Sequence, residues 1–394
     1  MSLSCLMGLK NLNQEQRRLK KLNKKPLTII TYEFPPRIGG AGGVAKDISK
    51  SYELNKHETI VLTCHRATFK RFKVEKTNSN FNTKVSFPVL FNLWFIFFPI
   101  YLFFHRRYFS DNIILNDFGA MYSFYIIPHF SRSTYTCYIH GKEPFLYKKS
   151  FLRNEILRFP YIYRKVVTNS KSLIFVSEFV KNWFFENVIP IGSCSTVIYN
   201  AVDLSLFNNV VESPSVLSTE LYTQSENNPK MVTACRLVKE KGFDRKLDIF
   251  VKLHQKGVKF TWFIAGDGSY KSEFQKKVAS LGFGDYVIFL GRVEREKLKP
   301  LYLKCNFFWL LSSYEEAYPL VYHEAHACGL PVIGLNRGGV KEVINDGFDG
   351  FVVDTQDEAF NLIYNDEIGK INLQKWDREA HSIALLYAKV ESAL

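Results

Sequence analysis

Twice along the chain, short β-branched and aromatic runs alternate with amphipathic stretches, and that alternation is the pattern of parallel strands joined by helices. The first series is LTIITY (27–32), TIVLT (59–63), NIILN (112–116), TYTCYI (134–139), LIFVS (173–177) and STVIY (195–199). The second is MVTA (231–234), FTWFIA (260–265), YVIFL (286–290), FFWLL (307–311), PVIG (331–334) and GFVV (350–353). Between them, residues 204–229 are rich in Ser, Asn, Glu and Pro with weak periodicity and read as a linker. The expected fold class is therefore α/β, with two Rossmann-like parallel-sheet domains over 1–203 and 230–376.

Length agrees, since 394 residues are too many for one small domain. With 46% hydrophobic, 15% aromatic and 23% charged residues, the chain has the material for buried cores and is not disordered. Its 7 cysteines are scattered with no C-x-x-C pair, which favours neither a disulfide framework nor a zinc site and suggests a reducing compartment. The N-terminal residues contain QRRLKKLNKK and no apolar core with a small-residue cleavage site, so a cytoplasmic location is expected, with association at the cytoplasmic membrane face as an option.

Charge divides the chain. Residues 1–200 carry 29 Lys+Arg against 12 Asp+Glu, a balance of +17, whereas 201–394 carry 23 against 26, a balance of −3. A basic half suits an anionic membrane surface, a polyanion or anionic substrates, or is simply solvated. Residues 85–104 carry no charge, long enough to suggest a membrane span. Spanning is incompatible with flanking strands that share one sheet. The options left are a buried strand plus helix, or a helix in the membrane interface with His105, Arg106 and Arg107 as its basic edge.

The densest chemistry lies in SSYEEAYPLVYHEAHACGLPVIG (312–334). Glu316 falls in a loop after the strand FFWLL, and Glu324 eight residues later in a helix beginning near Pro319. Helix-start amides of Tyr318, Leu320 and Val321 would attract phosphate, and the two carboxylates can accept hydrogen bonds from vicinal hydroxyls. In ACRLVKEKGF, Arg236 and Lys241 follow the domain's first strand, where a βα turn meets a pyrophosphate; two cations there could neutralise a diphosphate without metal. Glycine turns follow at IAGDGSY (264–270) and GLNRGGVKEVI (334–344). H-E-A-H (323–326) is one residue short of the zinc-binding H-E-x-x-H, so no metal is assigned.

In order, CRLVKEKG, AGDGS, FLGRV, SSYEEAYPLVYHEAHACGLPVIG, NRGGVKEVI and DGFDGFVV resemble glycosyltransferase family 4, retaining enzymes of GT-B architecture whose two Rossmann-like domains face across a cleft. The Glu-x7-Glu spacing of Glu316 and Glu324 is that family's signature. In the first half, TYEFPPRIGGAGGVAKDISKSY resembles its Gly-rich loop, with Gly39, Gly40, Gly42 and Gly43 allowing close approach to phosphate. YIHGKEP places His140 where the family has an active-site histidine, and FVSEFVKNWF and IYNAVDLSLF resemble its Ser-Glu helix start and Asn-x-Val-Asp segment. The C-terminal stretch 374–390 reads as a helix, and the resemblance implies that 377–394 return to the first domain. Ala317, Tyr318, Pro319, His326 and Cys328 depart from common family residues and bear on the donor sugar.

The resemblance implies transfer of a sugar, with retention, from a nucleotide diphosphate donor such as a UDP-sugar or GDP-mannose to a glycan or lipid-linked acceptor. Lipopolysaccharide, capsule or exopolysaccharide synthesis is the family-level setting. Arg236, Lys241, Glu316 and His140 are the implied catalytic residues. The glycines at 39, 40, 42 and 43, with Gly266, Arg292, Tyr318, Pro319, Leu320, Val321 and Glu324, would bind the donor. No cofactor and no metal are expected, since the nucleotide-sugar is a substrate. The alternative is a catalytically silent membrane-surface or polyanion-binding protein on the same fold. A nicotinamide dehydrogenase is excluded because Ala41 interrupts the glycine fingerprint and no acidic residue follows at the required distance. Nucleic-acid binding lacks any module signature.

Overall fold

A computed structural model describes residues 26–35, 40–66, 73–76, 81–89, 93–127, 134–142, 152–190, 194–208, 228–373, 376–377 and 379–394. Gly39, most of the linker (209–227) and the basic segment 1–25 lie outside the described residues. The chain divides into two compact units. One comprises Met1–Val176, Val180–Ile198 and Ile383–Leu394; the other comprises Ser177–Phe179 and Tyr199–Ser382.

In the first unit the elements alternate as β1 (Leu27–Ile30), α1 (Gly40–Leu54), β2 (Thr59–Arg66), β3 (Lys73–Lys76), β4 (Asn82–Val89), α2 (Trp94–Phe104), β5 (Asn112–Leu115), α3 (Phe118–Ile126), β6 (Thr136–Ile139), α4 (Phe159–Thr168), β7 (Ser172–Phe175), α5 (Glu178–Asn187) and β8 (Ser195–Val197). The sheet order is β3-β4-β2-β1-β5-β6-β7-β8, parallel throughout except for β3 against β4. β1 lies at the point where successive strands diverge to either side, the position where sheets of this type bind ligands beyond the strand C-termini. Its four residues are fully buried, as expected of a strand covered on both faces.

The uncharged run 85–104 resolves into two elements. Its first part completes β4, whose Val85 and Phe87 are buried, and Trp94 onward forms α2. Among the described residues no helix is long and apolar enough to cross a membrane.

The second unit contains β9 (Lys230–Ala234), α6 (Phe243–Gln255), β10 (Thr261–Ala265), α7 (Lys271–Ser280), β11 (Val287–Gly291), β12 (Phe307–Leu310), α8 (Leu320–Ala327), β13 (Val332–Leu335), β14 (Gly350–Val353) and α9 (Gln356–Tyr364). Its six parallel strands run in the order β11-β10-β9-β12-β13-β14, reversing direction about β9 and β12. The core is aromatic, with Trp262 and Trp309 in edge contact at 5.2 Å and Phe243, Phe250 and Phe274 packed around them. Edge-to-face geometry of this kind adds about 0.5–1.5 kcal/mol per pair beyond burial.

The C-terminal helix is shorter than the reading of 374–390 as one continuous helix. Two 3-10 turns, Glu379–His381 and Ile383–Leu385, precede α10 (Leu386–Ala393). α10 is fastened inside the first unit by Tyr52 Oη donating to Glu391 Oε1 at 2.6 Å, and by Ser172 Oγ donating to the Ala393 carbonyl at 2.7 Å.

Candidate functional site

Each unit contributes its own cluster beyond the strand C-termini. In the first unit, Asn116 follows β5 directly and reaches three neighbours. Its Nδ2 donates to the Ala41 carbonyl at 2.9 Å and to Thr31 Oγ1 at 3.2 Å, while Oδ1 meets His140 Nε2 at 3.2 Å. A backbone carbonyl only accepts, so the Asn116 amide orientation is fixed and its Oδ1 requires a proton on His140 Nε2. The ring stacks on Tyr138 at 4.8 Å, and burial holds its pKa down at about 3, so the imidazole is neutral at neutral pH.

Asp117 braces the same strand ends. Its Oδ2 accepts from Thr31 Oγ1 (2.6 Å), Tyr32 N (2.7 Å) and Glu33 N (3.0 Å), and Oδ1 accepts from Ala120 N (2.8 Å) to cap α3. Burial nevertheless holds its carboxyl above the ordinary range. Asn116 and Asp117 were absent from the sequence-based set. The signal was present in N-D-F-G-A after a strand, where an Asp at a helix start is a capping residue.

The glycine segment differs from the expected loop. Gly40, Gly42 and Gly43 form the opening turn of α1, and Gly39 lies outside the described residues. Gly42 is required by packing, because a Cβ there would stand 2.8 Å from the Glu33 carbonyl group. Gly40 and Gly43 face open space, which leaves their backbone approachable.

A sharp expectation follows for His140. Long-range ¹H–¹⁵N NMR spectra of the imidazole should show the Nε2–H tautomer persisting at pH 5, well below the ordinary histidine pKa of about 6.5. Asn116→Asp places a carboxylate opposite Nε2–H, which favours the imidazolium and should raise the histidine's pKa. An imidazolium pattern already present in the parent protein at pH 5 contradicts the assignment.

In the second unit, β9 leads through Cys235 and Arg236 into a 3-10 turn, Lys239–Lys241, and then α6. Lys241 Nζ meets Glu316 Oε1 at 2.5 Å, with their side chains only 15% and 12% exposed. Arg236 is exposed and makes no side-chain hydrogen bond or ion pair among the described residues. Burial apart, Lys246, Lys241, Glu316 and Arg236 act electrostatically on the Cys235 thiol. Burial is the larger influence on that thiol and pushes its pKa up.

Glu316 is positioned by its backbone. Gly339 N donates to the Glu316 carbonyl at 2.7 Å, and Gly338 takes φ +66° where a Cβ would lie 2.3 Å from the Glu316 oxygen. The motif NRGG therefore serves as a backstop for the glutamate loop. Gly266, also at positive φ (+147°), brings its Cα against the Cys235 carbonyl and donates from N to Gly291 O at 2.6 Å.

α8 starts one residue later than expected. Pro319 is its cap residue and Leu320 its first helical residue, so the amides of Leu320 and Val321 open the helix, where backbone N–H groups lack intrahelical acceptors. Tyr318 stacks on Tyr199 at 5.2 Å and its hydroxyl bonds His323 Nε2 at 2.8 Å. Burial keeps His323 neutral.

Glu324 is nearly buried, at 5% side-chain exposure, and its Oε1 accepts from Arg295 Nε at 2.5 Å. Arg292, expected to bind the donor, is exposed and makes no side-chain hydrogen bond or ion pair among the described residues. A carboxylate has about four acceptor positions, so the Arg295 bond fixes Glu324 while retaining capacity for a hydroxyl. The second unit also has a cavity of about 780 Å³ lined by Lys341, Asp346, Asp349, Trp376 and His381, which does not include this cluster.

These halves match two family models, one for each part of the chain. Residues 38–206 match the glycosyltransferase family 4 model and residues 222–371 match the glycosyl transferases group 1 model. The chain spans about half the length of several curated relatives it matches, 36–59% of each. It is 25% identical to N-acetyl-alpha-D-glucosaminyl L-malate synthase of Bacillus anthracis over 88% of this chain and 90% of the relative.

Two solved structures share its fold. A sucrose-phosphate synthase from Thermosynechococcus elongatus superposes at a TM-score of 0.76 with 17% identity, covering 94% of this chain and 100% of that one. Anabaena HepE in complex with UDP-glucose superposes at 0.71 with 19% identity, covering 94% and 100%. The fold is α/β of the GT-B type. With both halves matched in order and the Glu316–Glu324 spacing set in a turn and helix beyond β12, the chain belongs to glycosyltransferase family 4, the group 1 glycosyl transferases.

Proposed function

We propose that the protein transfers a sugar, with retention, from a nucleotide diphosphate donor to a hydroxyl of a glycan or lipid-linked acceptor. The observation that carries this reading is the Lys241–Glu316 pair, 2.5 Å apart and largely buried. Leaving-group departure places negative charge on the diphosphate, and a preorganised lysine in a partly buried site stabilises that charge more than water does. Lys241 has three donors, of which Glu316 occupies one, so two remain for phosphate oxygens. Arg236 adds a fork suited to two phosphate oxygens, and the Leu320 and Val321 amides add the positive end of α8.

Glu316 holds hydroxyls of the donor sugar, and Glu324, clamped by Arg295, accepts from the ribose. The neutral His140 in the first unit serves as a hydrogen-bonding group rather than a charge. Attack comes from the face the leaving group departs, and the departing phosphate oxygen takes the acceptor proton. The glycosidic bond forms as the sugar–phosphate bond breaks. UDP-sugars and GDP-mannose both stand as candidate donors, and envelope polysaccharide or lipopolysaccharide assembly is the setting. The silent-binding alternative is disfavoured because the acidic and basic partners are intact.

A thermal-shift screen across UDP-, GDP- and ADP-sugars tests the donor. A true donor at about 100 times its Kd stabilises the folded state by about 2.7 kcal/mol and should raise the midpoint clearly. Equal response to all three, or to none, contradicts a specific donor site.

A further inference from the structure

We infer that α2 is a membrane-docking element that lies in the interface of an anionic bilayer. All eleven residues of α2, WFIFFPIYLFF, are uncharged. One side packs inward through Phe98, Pro99 and Leu102, with Phe87 of β4 stacked on Tyr101 at 5.0 Å and tilted against Phe98 at 6.3 Å. Its opposite side is a continuous apolar stripe. Leu93, Ile96, Ile100 and Phe104, spaced by three, four and four residues, are 40%, 46%, 47% and 71% exposed. At 100° per residue these four fall within about 80° of arc, so they form a single face. Isolated exposed hydrophobics need no explanation, but four aligned on a helix with no charged residue do.

The basic edge decides what covers this face. Arg106 and Arg107 follow at once, both exposed, with guanidinium groups 5.1 Å from the Phe103 ring and 5.2 Å from the Tyr108 ring. The cations therefore sit at the end of the apolar stripe, as they do when an interfacial helix buries its apolar side below the headgroups. A second copy of the chain fits poorly, since the first 200 residues carry a balance of +17 and two such faces would repel. An anionic lipid surface complements both parts. α2 is about 16 Å long, too short to span and suited to lying flat. Its first residue, Trp94, packs its ring against Tyr32 at 5.1 Å in a tilted contact just beyond β1, so the docked helix adjoins the strand ends that carry Asn116 and His140.

Vesicle sedimentation of the full chain tests this, using phosphatidylcholine vesicles with and without about one quarter phosphatidylglycerol. The parent protein should co-sediment with the anionic vesicles, and Ile96→Asp/Ile100→Asp should weaken that partitioning tenfold or more. Arg106→Ser/Arg107→Ser should remove the preference for anionic over neutral vesicles. Both pairs are exposed, and circular dichroism and donor-induced thermal shift should match the parent, so vesicle loss is separable from a failure of the transferase reading. Partitioning unchanged by the Ile96/Ile100 variant overturns the inference. So does a parent protein that is dimeric by analytical ultracentrifugation and becomes monomeric in that variant, because the stripe would then join two copies.

Discussion

Lys241→Ala is expected to lower sugar transfer by on the order of 10² or more, the usual cost of removing one preorganised charge contact from developing negative charge. The loss should fall mainly in kcat, because the leaving diphosphate carries more charge in the transition state than in the bound donor. Lys241→Arg should retain part of the activity, since charge remains but the compact ammonium against Glu316 does not. Glu316→Gln should be nearly as damaging. It removes the 2.5 Å ion pair and a sugar-hydroxyl acceptor while keeping the shape of the loop fixed by Gly338 and Gly339. Because the two side chains touch, the double variant should cost less than the product of the singles, as expected for groups acting as a unit. Single-turnover rates within a few-fold of the parent for either variant would refute their roles.

Arg295→Ala carries the largest expected effect on stability. Glu324 is 5% exposed and its Oε1 accepts from Arg295 Nε at 2.5 Å, so deletion takes a cationic partner from a buried carboxylate, at up to about 3–5 kcal/mol. For a unit of this size that corresponds to a melting-temperature drop on the order of 10 °C. Arg295→Ala/Glu324→Met should recover much of the stability, because a buried apolar side chain removes the buried charge. The rescue should not extend to donor binding, where Glu324 is needed for the ribose. Chemical denaturation of the parent, single and double variants measures the first effect, and calorimetric titration with a nucleoside diphosphate measures the second. Equal stability of parent and Arg295→Ala would mean that the pair is solvated in solution.

Much of this arrangement is written locally in the sequence. The strands were legible because parallel strands covered on both faces are nearly continuous apolar runs, as in LTII and TWFIA. Lys241 and Glu316 were legible because each follows a strand that must end on the same edge of one sheet. Arg295 was not. It lies in RVEREKLKP among several cations, and only the path of the chain after β11 determines which one reaches Glu324. The run at 85–104 concealed its strand-to-helix change because apolar composition is common to both elements there, and periodicity needs polar residues to show itself. The glycines at 40–43 read as a loop by propensity, yet tertiary packing made them a helix start, since Gly42 lets α1 approach the Glu33 backbone.

Lys241 and its neighbours are proposed to bind a pyrophosphate, and calorimetric comparison of UDP with uridine on the parent and Lys241→Met decides whether they do. The parent should bind UDP at least tenfold more tightly than uridine, with that advantage largely gone in Lys241→Met while uridine binding is unchanged. If the diphosphate gives no advantage in the parent, or keeps its full advantage without Lys241, the account of this site is wrong.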